Sequence, residues 1–500
     1  MLKRMFVSPD PGRLRLRSGL RAVLGIGLAV TVCGLAGHSL VAAITGGLAA
    51  LLALFTVLDP TVRGQAVTTA LLPVAGFPVL ALAAALHDHP VARGAAFLAV
   101  MGLGVYARRW GPRGHSLGVF AFMAFFTAQF LHTLPGQLPE LYSAVALSLL
   151  ASSAVRFGLW CYERRRPVAA PAPAPGRGLA RVTTRQALQA TVGGVLALAA
   201  GQLLSEQRWY WAVGAAWWVF VNTASRGETL VRGFRRVLGT LIGLPVGLAV
   251  VVPLHGAAVP SAVVVALGVF GIFYTAPVSY TWMMLSVTVM AGALYGLLGV
   301  LDPALLLLRV TETAAGALGA ALAVLLILPV TTHATTDAWI QRALRCVHAC
   351  TAEAAARLAG SATADPAPRI AELEALLGRV RTSLAPLVHP LSPLRARRAR
   401  ARQVLALLDT CAREVRGLAS VAADPEASHD ARLAAACWRV EASVEALTAP
   451  DPARRADVPG VPSPAAAAGP ALAHLHGLER ALAELAAPLR SAPGAPLIGV

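Results

Sequence analysis

Apolar positions along this chain come in blocks. From residue 20 to 329, long apolar stretches are broken only by short loops. Their spacing predicts membrane-spanning helices near 20–36, 40–58, 66–86, 91–107, 115–132 and 140–160. Six more follow near 186–204, 209–224, 236–254, 258–275, 281–300 and 304–329. Several are shorter than the roughly 20 residues that cross a hydrocarbon core. Beyond residue 330 the spacing becomes amphipathic. Trp339, Ile340, Leu344 and Val347 share one helix face, and Val404, Leu405, Leu408 and Cys411 share another. Pro366, Pro386, Pro390 and Pro393 divide this tail into about three to five helices. The predicted class is all-α: a polytopic integral membrane protein of about twelve transmembrane helices with a cytoplasmic helical C-terminal domain.

The polar loops predict its orientation. Arg63, then Arg108, Arg109 and Arg113, then Arg164 to Arg166, then Arg226 to Arg236 fall on alternate loops. The excess of basic residues on these loops places them, and both termini, in the cytoplasm. The opposite loops hold His38, His87 to Arg93 and Pro135 in the first half, where Arg93 is the exception, and Glu206, His255 and Asp302 in the second. The basic N-terminus is read as leading an uncleaved first helix and not a secretory signal. The order Arg17, span, short loop, span, Arg63, span returns as Arg185, span, short loop, span, Arg232, span, at an offset of about 168–170 residues. That predicts an internal repeat: residues 1–162 and 185–330 as two six-helix membrane repeats related by an axis along the membrane normal. Residues 163–184 are a Pro/Ala-rich cytoplasmic linker. Residues 331–500 form the tail, with a disordered linker near 449–470 before a last amphipathic helix over about 471–489. The run Arg395, Arg397, Arg398, Arg400 and Arg402 suits anionic headgroups or a solvated helix face.

Composition narrows the function. The 500 residues are 56% hydrophobic and 14% charged, with mean hydropathy +0.64; a soluble chain is nearer 45–50% and about 25%. The net charge of +18 is uneven: residues 1–330 hold 24 Lys+Arg against 9 Asp+Glu, and residues 331–500 hold 19 against 16. The excess belongs to the membrane half, so inside-positive loops explain it and nucleic acid is not a predicted partner. The six cysteines show no paired framework, and Cys346, His348 and Cys350 make only half a zinc site, so no metal is predicted. No GxxxxGK[ST] or HExxH pattern occurs. The chain is read as a non-enzyme without cofactors, and any transport as driven by a gradient and not directly by ATP.

The stretch from Arg208 to Leu248 carries the densest chemistry. Trp209, Tyr210, Trp211, Trp217 and Trp218 precede Arg226, Glu228, Arg232, Arg235 and Arg236, and then Gly239, Gly243 and Gly247 are spaced four apart. The expectation is an outer aromatic belt, a span, a basic inner loop, and a span with a smooth face for close packing. Arg232, Arg235 and Arg236 would form a cytoplasmic entry for organic anions, with Trp217 and Trp218 stacking on aromatic rings and Asn222 at the inner end; the alternative is plain orientation and lipid contact. The sharpest candidates are Arg309 and Glu312, three residues apart inside the twelfth span and so on one face. They lie on the order of 8–12 Å below the outer end. Charges at that depth are expensive and usually face a polar interior. Arg309 would attract an anionic substrate and Glu312 would carry a coupling proton; the alternatives are a structural ion pair or Arg309 snorkelling to the surface. Gln129, His132, Gln202 and Thr223 are weaker candidates, more ordinary as interhelical hydrogen bonds.

The aromatic run, the Arg-rich segment and RRVLGTLIGLPVG (Arg235 to Gly247) resemble the fusaric acid resistance family, which includes aromatic-acid exporters of bacteria. The likeness is sharpest over about 40 residues and extends over Arg185 to Pro329. It implies a multi-pass exporter of small aromatic or other organic acids in the bacterial inner (plasma) membrane, and for some members a periplasmic partner. The glycine faces permit a homo-oligomer as readily as internal packing. Two other readings compete: a passive organic-anion channel, which needs Arg309 but not Glu312, and a non-transporting membrane scaffold acting through its tail.

Overall fold

The computed structural model describes residues 13–158, 178–223, 225–328, 332–361, 363–388, 395–422, 431–448 and 470–490. Among these every element is an α-helix or a short 3-10 turn. The chain divides into two compact units, one ending at Pro329 and the other starting at Val330, apart from a short segment over 225–228 that groups with the second. The predicted Pro/Ala linker lies largely, and the predicted disordered linker almost wholly, outside the described residues.

The membrane unit contains α1 (Leu14–Leu35), α2 (Leu40–Thr56), α3 (Val62–Ala85), α4 (Pro90–Tyr106), α5 (Gly111–Phe130) and α6 (Leu138–Gly158). It continues with α7 (Val182–Leu204), α8 (Tyr210–Phe220), α9 (Arg226–Val251), α10 (Ala258–Thr275), α11 (Tyr280–Leu297) and α12 (Pro303–Leu326). Local chemistry sets several starts: Ser39, Thr61 and Asp302 each cap a helix by accepting from a first-turn N–H. Among the described residues nine stretches are long and apolar enough to cross a membrane. One of them, Pro90–Phe130, has 41 residues. As a single helix it would run about 60 Å, twice a hydrocarbon core. Gly111 breaks it at φ 77°, after a 3-10 turn over Ala107–Trp110, into α4 and α5. The two helices then pack on each other so closely that a β-carbon on Gly118 would strike the carbonyl of Gly104.

Packing within the unit follows a pattern. α1 packs on α2 and α6, and α2 on α6; α7 packs on α8 and α12, and α8 on α12. α4 contacts α7, and α10 contacts α1. The glycine face of α9 meets α11: a β-carbon on Gly239 would lie 2.5 Å from the Thr281 carbonyl oxygen, and one on Gly243 2.8 Å from Thr288 Cβ. No side chain but hydrogen fits there.

Two expectations need correction. The basic segment Arg226–Arg236 is the start of α9 and not a loop. Arginine is a good helix former, no proline intervenes before Pro245, and Ser225 Oγ accepts from Glu228 N at 3.4 Å as helix starts commonly do. The aromatic run is a core and not an interfacial belt: Trp209, Tyr210 and Trp217 are all buried. The helix expected over 209–224 has only 11 residues, Tyr210–Phe220, and ends where Asn222 takes a left-handed φ of 62°.

The second unit contains α13 (Thr332–Leu358), α14 (Ala367–Val388), α15 (Arg395–Ala422), α16 (Ala431–Thr448) and α17 (Pro470–Arg490). Trp339, Ile340, Leu344 and Val347 are buried, as are Val404, Leu408 and Cys411, so the amphipathic spacing faces one core. α15 and α17 cross tightly: the His474 ring covers Gly417 and contacts Glu414 Oε2 at 2.9 Å. Cys346 and Cys350 are buried in this core, and Cys346 donates to the Arg369 carbonyl at 3.5 Å. Burial pushes the Cys411 thiol up to about 12. Of the basic run in α15, the side chains of residues 395–398 lie outside the described residues.

Candidate functional site

α8 organises the interior of the membrane unit. At 1.5 Å per residue its 11 residues span about 16 Å, too short to cross a membrane alone. Trp217 stacks on Phe122 at 4.3 Å between ring centroids, and Gly214 admits the edge of Phe126. α12 closes against the same helix through Gly316, where any β-carbon would run into the Ala212 carbonyl. Trp211 and Trp218 remain half-buried on α8, one near each end.

These two rings border a cavity of about 140 Å³. Its walls are apolar, with Phe55, Met123 and Phe130 among them, and six residues of α11, Met283, Val287, Met290 and Leu294 included. Two arginines enter it, Arg236 from α9 and Arg309 from α12. A cavity of about 150 Å³ with apolar walls accepts a benzene ring, so this one has the capacity for a single aromatic ring. Methionine walls adapt to ring edges.

Arg309 is buried, its guanidinium 4.5 Å from the centroid of Trp211. Its Nη1 has no hydrogen-bond partner. Glu312 lies on the same helix, 0% exposed, and neither carboxylate oxygen has a hydrogen-bond partner. The two charges, though three residues apart, are therefore not joined by a hydrogen bond. Buried ionisable groups without partners are rare because desolvation is not offset.

Around Arg236 the arrangement is a network. Arg236 Nη1 donates to Tyr280 Oη at 3.2 Å and contacts Met284 Sδ at 3.1 Å. Arg232 lies over the Tyr280 ring at 4.0 Å and donates through Nε to the Trp218 carbonyl at 3.1 Å. Arg236 Nε stays buried and without a partner. Nearby in the same unit, Arg108 donates to the carbonyls of Phe220 at 3.1 Å and Thr223 at 3.3 Å, closing the C-terminus of α8 with a cation.

Of the residues expected from the sequence, Arg236, Trp218 and Arg309 line the cavity, and Arg232 supports it through Tyr280 and Trp218. Glu312 lies one turn beyond Arg309. Trp217 is core, its indole Nε1 buried without a partner; Asn222 is exposed, and Arg235 is half-buried off the cavity wall. Tyr280 and the methionine face are functional candidates that the sequence reading did not single out. The methionine face had a signal: 283, 287, 290 and 294 repeat at helical spacing. Tyr280 had none.

Residues 196–324 match the model of a family described as fusaric acid resistance protein-like. The match runs from within α7 to within α12 and so includes α8, α9, Arg236, Arg309 and Glu312. No match is found among curated proteins or among solved structures. Together with its apolar helices, this match makes the chain a multi-pass, transporter-like membrane protein.

Proposed function

We propose that this protein exports small aromatic or other organic acids across the bacterial inner membrane, driven by the proton gradient, with the cavity between Arg236 and Arg309 as the substrate path. The observation that carries the reading is the cavity itself: ring-sized, apolar-walled, with a buried arginine on each of two helices and a buried, unpartnered carboxyl group one turn from one of them. Apolar walls suit a ring and arginine suits a carboxylate. Arg309 Nη1 is a donor waiting for an acceptor. Glu312 carries the coupling proton: ionised and unpaired it is costly in such surroundings, and a proton removes that cost.

The reading includes twelve spans in two six-helix repeats. It is supported by helix starts offset by similar amounts, 168 residues from Leu14 to Val182 and 170 from Leu40 to Tyr210, and by α1–α2–α6 packing in the manner of α7–α8–α12. Both termini and the tail lie in the cytoplasm, and the substrate enters from the side of Arg232 and Arg236. The test is flux of a labelled aromatic carboxylate in proteoliposomes, with and without an imposed pH gradient. Gradient-dependent flux is expected. Flux indifferent to the gradient would favour the passive channel, and no flux across a broad panel of acids would favour the scaffold reading.

A further inference from the structure

A second, smaller pocket in the membrane unit is chemically unlike the first. It lies where α5 ends and the chain enters α8, and holds about 20 Å³. A cavity needs roughly 10–15 Å³ to admit one water, so this one has space for a single small species. Its wall is polar and basic: His87 before α4, Arg93 from α4, Gln129 and His132 at the end of α5, and Trp209 and Tyr210 at the start of α8.

Every charged group facing this space is cationic. Arg93 donates through Nη1 to the His87 carbonyl at 2.8 Å, and its guanidinium lies 6.0 Å from the Trp209 ring centroid. That geometry fixes the guanidinium and leaves its Nε–H buried with no acceptor. The His87 and His132 rings are 6.5 Å apart. Arg208 joins from the α8 side, donating to Tyr210 Oη at 3.4 Å. The acids nearest in sequence, Asp88 and Glu206, are exposed and do not line the pocket. His132 takes a left-handed φ of 50° in the turn that ends α5, closed by Thr133 N donating to the Ala128 carbonyl at 3.0 Å. Burial, then Arg208, His87 and Arg93, pull the His132 imidazole below its ordinary range.

The geometry points to a binding site for one small inorganic anion, of the size and charge of chloride, held by Arg93 Nε and the His132 ring. The anion supplies the acceptor that Arg93 Nε lacks and a negative charge at the pocket wall, which Glu312 of α12, though it attracts Arg208, does not line. Protonated His132 is a second donor, so proton and anion binding reinforce each other and affinity rises as pH falls. Its lining residues are distinct from those of the organic-anion cavity, and the inference does not depend on the reading of that cavity.

The test uses the full chain in lipid nanodiscs, with sodium chloride exchanged for sodium gluconate at constant ionic strength. The melting temperature is followed at about pH 5 and about pH 8, the acid arm set well below imidazole's ordinary value near 6.5 because His132 lies under it. A saturable rise in melting temperature with chloride is expected, half-complete at lower chloride at the acid pH. Arg93→Gln should raise the half-saturating chloride concentration roughly tenfold or more, the usual weight of a charged hydrogen bond. His132→Asn provides a second variant that tolerates the left-handed backbone, and it should remove the pH dependence. Equal behaviour of chloride and gluconate in the wild type, as a pocket holding only water would give, overturns the site. So does an unchanged half-saturating chloride concentration in Arg93→Gln, or an unchanged pH dependence in His132→Asn.

Discussion

Two helix seams in the membrane unit use the same packing device to different ends. At the α2–α6 seam, Gly46 lets the backbone approach, and a β-carbon there would strike Ser148 and the Ala144 carbonyl. The polar atoms are satisfied: Cys33 Sγ contacts Ser148 Oγ at 3.3 Å and the Ala144 carbonyl at 3.5 Å, and Thr45 donates to the Val41 carbonyl at 2.9 Å. At the α8–α12 seam, Gly316 does the same against Ala212, yet this seam carries Arg309 and Glu312 with buried, unpartnered polar atoms. The first is what a finished interface looks like. The second has lost nothing in closeness but keeps Arg309 Nη1 and both Glu312 oxygens without a hydrogen bond, which is uncommon in a finished interface. Burial alone does not draw this contrast, since Ser148 and Glu312 are both 0% exposed.

The comparison can be broken at several strengths. The largest effect is expected from Arg309→Gln: a charged hydrogen bond is worth roughly 1.5–3 kcal/mol, so affinity for an aromatic carboxylate, read by titration in nanodiscs, should fall about ten- to a hundredfold. An unchanged affinity would reassign Arg309 to structure. Next, Gly316→Ala and Gly46→Ala should each destabilise by about 1–3 kcal/mol through overpacking, seen as lower melting temperatures of similar size. A change at only one of them would show that the seams are not equivalent. Smallest is the paired test on α9: Arg236→Gln should slow transport several-fold while Arg235→Gln leaves it near the wild-type rate, because only Arg236 enters the cavity. Equal effects would return the basic segment to a role in orientation alone.

How much of this could be read in the sequence follows from what hydropathy encodes. The apolar blocks gave the helices, and the depth of Arg309 and Glu312 in an apolar run marked them without any structure. The division of labour among the arginines was hidden. If Arg226–Arg236 is a loop, its side chains have no defined direction; once α9 begins at Arg226, residues 232 and 236 fall one turn apart on one face and 235 turns away. The aromatic run was misplaced for a related reason: tryptophan suits a membrane interface or a packed core, and composition cannot choose between them. Trp217 against Phe122 and Trp209 against Phe97 chose the core. The absence of a hydrogen bond between Arg309 and Glu312 was equally out of reach, because spacing of three permits a pair without requiring one.

The most direct test of the central claim is Glu312→Gln in proteoliposomes, with two fluxes of a labelled aromatic carboxylate measured on the same preparation: accumulation driven by an imposed pH gradient, and exchange against unlabelled substrate without one. Glutamine keeps the shape and forfeits no hydrogen bond, so the protein should insert and fold as before. The account predicts that driven accumulation disappears while exchange persists, because the binding cavity is intact and only the proton carrier is gone. Driven accumulation at the wild-type rate in that variant would contradict it.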